Sequence, residues 1–323
     1  MIDKQVGSSQ NKTVLITGGA GFLGRNLALF YKDKYNVVLA SRDNKQNFEA
    51  GKITGCLTMP LDITNIESVR DVINECKPHI VIHAAATKFV DLSEKYPMEC
   101  VDVNIVGSQN LVRVAIDKNV EIVLGISTDK AAPPVRNVYG MSKAIMERLF
   151  CSMNGKTNTK FACVRYGNVT WSTGSVLPIW NEMWEMTKTI GTTGPEMRRF
   201  FFTVSEAVQL VNTALENIEE IQGNVLSREM KSAQIQDILN VWIENKGGNW
   251  KKIEGRPGER NDEFLIGDIE LPYTQERVYD FIRHFIISFN QKVENPLKEV
   301  FSSASAERLS DKEILNLINN SAN

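Results

Sequence analysis

The sequence predicts an α/β protein: a Rossmann-type, doubly wound parallel sheet with a smaller C-terminal substrate-binding lobe. In the first half of the chain, short apolar runs alternate with amphipathic segments, which is the order of elements in such a fold. The runs are apolar throughout, as expected for strands buried on both faces. After about residue 166 the alternation decays and aromatic residues, Gly and Pro become frequent, which predicts the smaller lobe.

The predicted elements follow one another in a regular β/α order. A strand at 13–17 (TVLIT) leads into a helix at 21–32 with Phe22, Leu23, Leu27 and Phe30 on one side. Further strands are predicted at 36–40, 55–59, 79–85, 121–126 and 160–165, and further helices at 63–76, 98–118 and 139–153.

The same reading divides the chain into three parts. Residues 1–11 are polar and predict a flexible N-terminal tail, residues 12–166 form the Rossmann domain, and residues 167–323 form the substrate-binding lobe. A segment at about 202–218 is expected to return to the Rossmann domain. A last helix at 309–318, capped by Ser310, is either docked on the protein or a subunit contact.

Composition limits the classes of function. The chain has 323 residues, 42% of them hydrophobic and 24% charged, as in soluble globular proteins. A formal net charge of −2 predicts that nucleic acid is not a partner. No stretch resembles a membrane span or a signal peptide, so we expect a cytoplasmic protein and no membrane partner. Five cysteines without a CxxC pair fit a reducing compartment, and three histidines without ligand spacing predict no metal site.

A glycine-rich turn follows the first predicted strand. Gly18, Gly21 and Gly24 form a G-x-x-G-x-x-G pattern, and Phe22 and Leu23 open the next helix. Glycines let the turn tighten and let the backbone approach a pyrophosphate, which then lies at the helix N-terminus. The pattern predicts dinucleotide binding, although an isolated glycine triplet also fits a tight structural turn.

The end of the second strand predicts which dinucleotide binds. Ser41, Arg42 and Lys45 stand where NAD-dependent enzymes place a carboxylate for the ribose 2′-hydroxyl. A hydroxyl, a guanidinium and an ammonium suit a 2′-phosphate, so we expect NADP. The alternative is a solvated basic loop balanced by Asp43. Other cofactor contacts are expected at the ends of the next two strands, from Asp62 and Ile63 to the adenine and from Ala84 and Ala85 along the cofactor.

Tyr139 and Lys143 form a Tyr-x-x-x-Lys pair at the start of the helix that follows the fifth strand. At the i, i+4 spacing both side chains lie on one helix face. A nearby ammonium and a positively charged nicotinamide would lower the tyrosine pKa from its reference value near ~10. The tyrosinate could then take a proton from a sugar hydroxyl while hydride leaves the same carbon.

The run that contains Thr128, Asp129 and Lys130 adds an acid and a base to the one hydroxyl that a reductase needs. Oxidation of a sugar at C4 makes the C5 proton acidic, because the resulting carbanion delocalises into the ketone. Lys130, as a desolvated amine, suits the base that removes this proton, and Asp129 suits the acid that protonates the departing C6 hydroxyl. The alternative is an exposed ion pair in a turn.

Several motifs together give the sequence a family resemblance. STDKAA, YGMSK, HAAATK, CVDVNIVGSQN, VRYGNV, GSVLP, MRRFFFT and GRPGER resemble the inverting UDP-N-acetylglucosamine 4,6-dehydratases (5-epimerising), extended short-chain dehydrogenase/reductases of the polysaccharide-biosynthesis type. The resemblance runs from about residue 12 to the C-terminus. Retaining 4,6-dehydratases resemble this chain in the glycine loop and the Tyr-x-x-x-Lys pair, but carry Asp-Glu in place of Asp129-Lys130.

The resemblance implies a UDP-sugar substrate and a set of residues that bind it. A lysine base that also reprotonates C5 from the opposite face would invert that centre. The implied substrate contacts are Lys88, Asn168, Ser175, Arg199, Arg256 and Glu259, and Lys88 also lies by the cofactor. The alternative interpretation of each is a surface salt-bridge partner.

The chain departs from the family pattern at three places. Thr173 replaces an arginine before GSV, and Arg198, in place of a usual threonine, is the candidate to supply the lost diphosphate contact. Asp262 stands where a histidine is common. The interval from Asp129 to Tyr139 is one residue longer than usual, and the sequence leaves open whether this loop is ordered without substrate.

Two other readings remain open from the sequence. One is a retaining 4,6-dehydratase or a 4-epimerase acting on UDP-glucose or a related nucleotide sugar, although an epimerase needs no Asp-Lys pair. The other is an NADP-sensing regulator without activity, which would not need to keep the Tyr139–Lys143 pair. The resemblance also implies a homo-oligomer.

Overall fold

A computed structural model describes residues 12–255 and 258–320, so the predicted tail at 1–11 lies outside the described residues. Within them the largest sheet has nine strands in the order β14-β15-β10-β6-β5-β4-β1-β2-β3. The strands from β3 to β10 pair in parallel, whereas β15 and β14 are antiparallel additions. The strands of this sheet are β1 Thr13–Thr17, β2 Asn36–Ser41, β3 Leu57–Pro60, β4 Ile80–His83, β5 Ile122–Ile126, β6 Lys160–Arg165, β10 Val225–Arg228, β14 Thr274–Tyr279 and β15 Ile282–Ile287.

Helices cover both faces of this sheet, which confirms the predicted α/β fold class. On one face α1 packs against α2 and α9, and on the other α6 packs against α3 and α7. Apolar side chains of β1, β4 and β5 lie at the centre and are buried completely. The helices of the two faces are α1 Phe22–Tyr31, α2 Asn44–Thr54, α3 Ile66–Cys76, α6 Gly107–Asp117, α7 Val138–Cys151 and α9 Val204–Glu216.

A smaller lobe with its own apolar core follows β6. Two tryptophans, Trp180 and Trp242, meet edge to face at its centre. Its last helix is docked rather than free, because Ile314 and Ile318 are buried in this core and the Trp171 indole donates to the Leu317 carbonyl at 2.7 Å. The lobe contains α8 Val176–Thr187, α11 Ile235–Lys246, α12 Asp311–Asn319, the sheet of β7 Asn168–Val169, β9 Arg198–Phe202 and β11 Ser232–Gln234, and the pair β8 Thr189–Thr192 and β12 Asn249–Lys252.

The remaining elements correct the sequence reading in two places. The helix expected at 98–118 is divided into α5 Pro97–Val101, a π-helical turn at Asp102–Val106, and α6; α4 Val90–Lys95 and α10 Ile218–Ile221 are short additional helices. The predicted apolar face of α1 is also shifted, because Phe30 is exposed whereas Ala28 and Tyr31 are buried. Three strands beyond residue 218, namely β10, β14 and β15, join the main sheet, and β13 Phe264–Ile266 pairs with β16 Phe301–Ser302.

A buried ion triad ties the two halves of the chain together. The Arg165 guanidinium at the end of β6 donates to Glu147 of α7 at 2.6 and 2.9 Å and to Glu270 at 2.8 and 2.9 Å. Its remaining N–H bonds the Leu265 carbonyl at 2.9 Å. All three charged side chains are at most 5% exposed, so each carboxylate depends on this single cation.

We predict that Arg165→Met lowers the free energy of unfolding by about 3–5 kcal/mol, because it leaves two buried carboxylates without their cation. Urea denaturation followed by circular dichroism measures the loss. The matched control is Arg283→Met, which removes a surface arginine paired with Glu276 and Glu229 and should cost less than about 1 kcal/mol. Equal losses in the two variants would show that the triad carries no special stability.

Candidate active site

The glycine turn between β1 and α1 forms a close cradle at the edge of the sheet. Gly18 has a φ of +67°, and a Cβ at this position would lie 2.7 Å from the Ala85 nitrogen. A Cβ on Gly24 would lie 2.5–2.7 Å from backbone atoms of Gly19, so no larger residue fits there without a shift. Gly21 caps α1 without a side chain, which leaves the first N–H groups of the helix to an anion. This cradle fits the pyrophosphate of a dinucleotide.

The β2–α2 junction holds the residues expected at the 2′-position of the cofactor. The Ser41 hydroxyl accepts the Ala20 N–H at 3.0 Å and so fixes the glycine turn to β2. Arg42 and Lys45 are exposed beside it but do not line the cavity that begins at the glycine turn. The Asp43 carboxylate lies between them in sequence and caps α2 by accepting the Gln46 N–H at 3.0 Å.

Asp62 and Ile63 do not line the cavity at the glycine turn either. The Asp62 Oδ1 accepts the Thr64 N–H at 3.0 Å and the Thr64 hydroxyl at 2.8 Å, which closes a local turn after β3. Ile63 is 6% exposed, and its carbonyl accepts the Asn110 side-chain amide. The structure therefore gives both residues a local structural role, and their expected adenine contacts remain a prediction.

A cavity of about 790 Å³ begins at the glycine turn and ends in the smaller lobe. It brings together most of the predicted cofactor and substrate residues with the predicted catalytic residues, although these are distant in sequence. Predicted residues that line it are Gly18, Gly21, Phe22, Leu23, Gly24, Ser41, Ala84, Ala85, Lys88, Thr128, Lys130, Tyr139, Lys143, Asn168, Ser175, Arg199 and Glu259. Arg256 lies outside the described residues.

Asp129 and Lys130 form an ion pair beside this cavity: Lys130 lines it, and Asp129 is buried behind it. The Lys130 ammonium donates to Asp129 Oδ1 at 3.0 Å and to Asn168 Oδ1 at 3.1 Å. The Thr128 hydroxyl donates to the same Asp129 oxygen at 2.9 Å. Asp129 is fully buried and does not line the cavity, and its Oδ2 has no hydrogen-bond partner among the described residues. In this conformation Asp129 is therefore separated from the cavity by its partners Thr128 and Lys130, which line it.

Tyr139 lines the cavity beside Thr128, but its electrostatic environment differs from the predicted one. Burial is the largest effect on the Tyr139 pKa and raises it, and the nearby Asp129 carboxylate raises it further. Only the hydrogen bond to Thr128 lowers it. The expected lowering of the Tyr139 pKa by the Lys143 ammonium is not seen in the chain alone. The Lys143 amine donates to the Ile126 carbonyl at 2.7 Å.

Lys143 is 2% exposed, and burial lowers its pKa from 10.5 to about 8. Its amine is held between the Ile126 carbonyl and the Met146 sulfur, 3.4 Å away. The interaction with Glu147 raises the pKa but does not offset the loss of hydration. A small change of environment therefore decides whether this lysine is charged near neutral pH.

We predict that the stability of the cofactor-free protein depends on the charge of Lys143. Because its pKa is lower in the folded protein than in the unfolded chain, the protonated amine costs stability below pH ~8, and this cost disappears as the pH rises to 10.5. The wild type should therefore gain about 3 kcal/mol relative to Lys143→Met between those two pH values.

Chemical denaturation at several pH values measures this difference, and taking the difference between two proteins cancels the titration of other groups. Lys156→Met, which removes an exposed lysine, is the control and should differ from the wild type by a constant amount. A constant difference for Lys143→Met as well would contradict the predicted pKa.

The far end of the cavity lies at the N-terminus of α8. Ser175 caps this helix without a side-chain hydrogen bond, and its buried hydroxyl has no partner among the described residues. Lys88 lines the same cavity, and burial lowers its pKa. Glu259 accepts the Thr193 hydroxyl at 3.2 Å. A helix N-terminus with a lysine close by is chemically suited to a diphosphate.

Arg198 does not supply the diphosphate contact that the sequence suggested. Its guanidinium forms a two-pronged ion pair with Asp262, at 2.5 and 2.7 Å. The Ser303 hydroxyl donates to the same carboxylate at 3.3 Å. The departures from the family pattern at 198 and 262 therefore compensate each other: the arginine and the aspartate pair and fix the 259–263 loop to β9.

Sequence reasoning missed Glu263, which lines the cavity and is 4% exposed. Its Oε2 accepts the Arg260 Nε–H at 2.6 Å, and its Oε1 lies 3.9 Å from both the Lys130 Nζ and the Arg199 Nε. Arg260 in turn donates to the Pro134 carbonyl at 2.8 Å and so holds the long Asp129–Tyr139 loop. Charge alone in the RNDE run could not show that this glutamate turns inward.

The chain is similar to known proteins over most of its length. A family model described as a polysaccharide biosynthesis protein matches residues 14–283. The chain belongs to the polysaccharide biosynthesis protein family. Curated relatives of this family member include nucleotide-sugar dehydratases and epimerases, and it is an enzyme of that group.

Three relatives cover nearly the whole chain. A Methanocaldococcus jannaschii protein, named as an uncharacterized membrane protein, is 33% identical over 96% of this chain and 96% of its own length. An inverting UDP-N-acetylglucosamine 4,6-dehydratase of Campylobacter jejuni is 32% identical over 95% and 97%. A UDP-glucose 4-epimerase of Rickettsia bellii is 31% identical over 96% of each chain. In the part of this chain that the structure describes, no helix is long and apolar enough to cross a membrane.

Two solved structures share the fold. Pen from Bacillus thuringiensis superimposes with a TM-score of 0.88 at 28% identity, over 97% of this chain and 98% of that one. A Thermus thermophilus UDP-glucose 4-epimerase, solved with NAD, has a TM-score of 0.70 at 22% identity, over 80% of this chain and 91% of the epimerase.

Proposed function

We propose that this enzyme is an inverting 4,6-dehydratase that converts UDP-N-acetylglucosamine to UDP-2-acetamido-2,6-dideoxy-β-L-arabino-hex-4-ulose. The observation that carries the proposal is the Lys130–Asp129 pair, held at 3.0 Å, in which Lys130 lines the cavity together with Tyr139. A retaining enzyme or an epimerase would need no lysine at this place. The Campylobacter jejuni relative of the same name supports the assignment.

The first step is oxidation at C4 of the sugar. Bound NADP would accept the hydride from C4 and later return it to C6, so that no net oxidation occurs. The glycine turn would hold its pyrophosphate, and Arg42 and Lys45 its 2′-phosphate. Tyr139 takes the proton of the C4 hydroxyl, and Thr128 donates a hydrogen bond to the reacting oxygen. For Tyr139 to act as a base its high pKa must fall, and the positive nicotinamide and a charged Lys143 would both lower it.

The second step is loss of water across C5 and C6. The Lys130 amine takes the C5 proton while the electron pair enters the C4 carbonyl, and a proton from Asp129 leaves with the C6 hydroxyl as water. Lys130 then returns a proton to C5 on the opposite face, which inverts that centre. Asn168 holds the amine toward the cavity through its side-chain oxygen.

The substrate would lie between this pair and the N-terminus of α8. Lys88, Ser175, Arg199, Arg256 and Glu259 form the proposed nucleotide-diphosphate end. Residues 12–166 would then form the NADP-binding domain and residues 167–323 most of the substrate side. Self-association is part of the proposal, and it is supported by exposed apolar side chains on neighbouring helices, at Met98 of α5 and at Met141 and Ile145 of α7.

A 4-epimerase is the second candidate, because the Rickettsia bellii relative with that name is 31% identical over 96% of this chain. It would use the same Tyr139–Lys143 pair and would return the hydride to C4. Asp129 and Lys130 would then have no step to perform. Lys130 lines the cavity and is paired with the buried Asp129, which favours the dehydratase.

Proton NMR of the enzyme with UDP-N-acetylglucosamine in deuterated water tests the proposal. We expect a 6-deoxy-4-keto product with deuterium at C5 and L-arabino couplings. Lys130→Ala should slow its formation by at least about 10²-fold because the base is lost, whereas the exposed-lysine control Lys156→Ala should not. A D-xylo product would contradict inversion, and C4-epimerised sugar without deuterium at C5 would establish the epimerase.

The choice of NADP rests on the exposed cations after β2. We predict that NADP binds more tightly than NAD, and that Arg42→Ala weakens NADP binding roughly tenfold through loss of a charge-assisted hydrogen bond but leaves NAD binding unchanged. Isothermal titration calorimetry with both dinucleotides measures this. The control is Lys52→Ala, because Lys52 lies in the last turn of α2, away from the β2–α2 junction. Equal affinities of the wild type for the two dinucleotides would refute the assignment.

A further inference from the structure

The Glu263 carboxylate is shared among three cations that come from different parts of the chain. Its Oε2 is bound by Arg260 at 2.6 Å, and its Oε1 lies 3.9 Å from the Lys130 Nζ and 3.9 Å from the Arg199 Nε. Hydrogen bonds with Ser303 in both directions, at 2.9 and 2.8 Å, fix its backbone. Oε1 is thus an acceptor at equal distance from two donors, and a shift of about 1 Å would bring either into hydrogen-bond range.

Arg199 and Lys130 line the same cavity, and Arg199 marks the end at which the substrate diphosphate is proposed to bind. The Arg199 guanidinium is 10% exposed and donates to the carbonyls of Arg198 and Asn261, at 2.8 and 3.1 Å. These are neutral acceptors, so Glu263 is the one carboxylate within 4 Å of Arg199 among the described residues. An anionic diphosphate at this end would compete with Glu263 for the arginine.

Lys130 has two carboxylates within 4 Å in the described part of the chain, Asp129 and Glu263. In the proposed dehydration Asp129 must carry the proton that it later gives to the leaving hydroxyl, and is then neutral. Glu263 is the remaining anion that can stabilise the ammonium formed when Lys130 takes the C5 proton. Arg260 is already bound to Oε2, so Oε1 is the oxygen that can move toward the ammonium.

We infer that Glu263 is a positioning residue that couples binding of the substrate diphosphate to removal of the C5 proton. When the diphosphate binds Arg199, Glu263 Oε1 no longer faces the arginine charge and moves toward the Lys130 amine, where it stabilises the ammonium as that ammonium forms. The C5–H bond breaks, an N–H bond forms on Lys130, and the electron pair enters the C4 carbonyl; Glu263 gains and loses no proton. This inference rests on the proposed function and goes beyond it by naming the residue that links the proposed diphosphate-binding arginine to the C5 base.

The coupling predicts opposite effects on binding and on chemistry. Glu263→Gln keeps the shape and an acceptor for Arg260 but removes the charge, so Arg199 loses a competitor and UDP, measured by calorimetry, should bind severalfold more tightly. The turnover number should fall roughly ten- to hundredfold because the ammonium is less stabilised. In a single turnover, the near-ultraviolet absorbance of the reduced nicotinamide should rise at the wild-type rate but decay more slowly.

Glu263→Asp, which keeps the charge, should recover part of the turnover, and Glu307→Gln, in an exposed pair with Lys231, should match the wild type. Unfolding free energies of all variants separate function from folding. If Glu263→Gln loses UDP affinity and turnover together with stability, or leaves both unchanged, the inference is wrong, whereas the dehydratase assignment is decided separately by the activity of the wild type. If the wild type itself forms no dehydrated product, the proposed function fails and the inference fails with it.

Discussion

The arrangement of the site depends on one buried guanidinium. Arg165 donates all five of its N–H groups, to Glu147, to Glu270 and to the Leu265 carbonyl. Glu147 lies on α7, the helix that carries Tyr139 and Lys143, and Glu270 belongs to the C-terminal half of the chain. A planar fork with fixed directions can hold two carboxylates at once, which a lysine cannot do. The triad therefore fixes the helix that carries Tyr139 and Lys143 to the C-terminal segment between β13 and β14.

The segment that carries Glu270 also contacts the loop between Lys130 and Tyr139. Gly267 donates its N–H to Glu270 at 3.1 Å, and a Cβ on Gly267 would lie 2.0 Å from the Pro133 carbonyl. Arg260 bonds the next carbonyl, that of Pro134. The long Asp129–Tyr139 loop is thus packed against the C-terminal half in the chain without ligand. Its extra residue does not leave Tyr139 outside the cavity.

Charge balance governs the centre of the cavity. Asp129, Lys130, Glu263, Arg199 and Arg260 lie in one connected group, with two anions and three cations in their ordinary charge states. Burial makes each of these charges costly without its neighbours. An anionic substrate or a transferred proton must therefore change the pairing of the whole group. This is the physical reason to expect that binding and proton transfer are linked.

Local sequence was sufficient for features that depend on neighbouring residues. The strands at 13–17 and 160–165, the cap at Ser310 and the glycine turn were all predicted because apolar periodicity, capping side chains and conformational freedom act over a few positions. The residues of the Thr128–Lys130 run and the Tyr139–Lys143 pair were likewise identifiable, because each carries its chemistry in consecutive residues or one helix turn.

Tertiary structure decided what depends on distant partners. Asp262 and Arg198 pair across 64 residues, and Glu263 meets Lys130 from the opposite half of the chain. The Tyr139 pKa follows from burial and from Asp129, not from the lysine one helix turn away. The sequence by itself determined the alternation of strands and helices up to residue 165, the parallel character of those strands and the chemical groups of the site. Only folding decided which charges are buried together, because desolvation and pairing depend on distances that no local pattern contains.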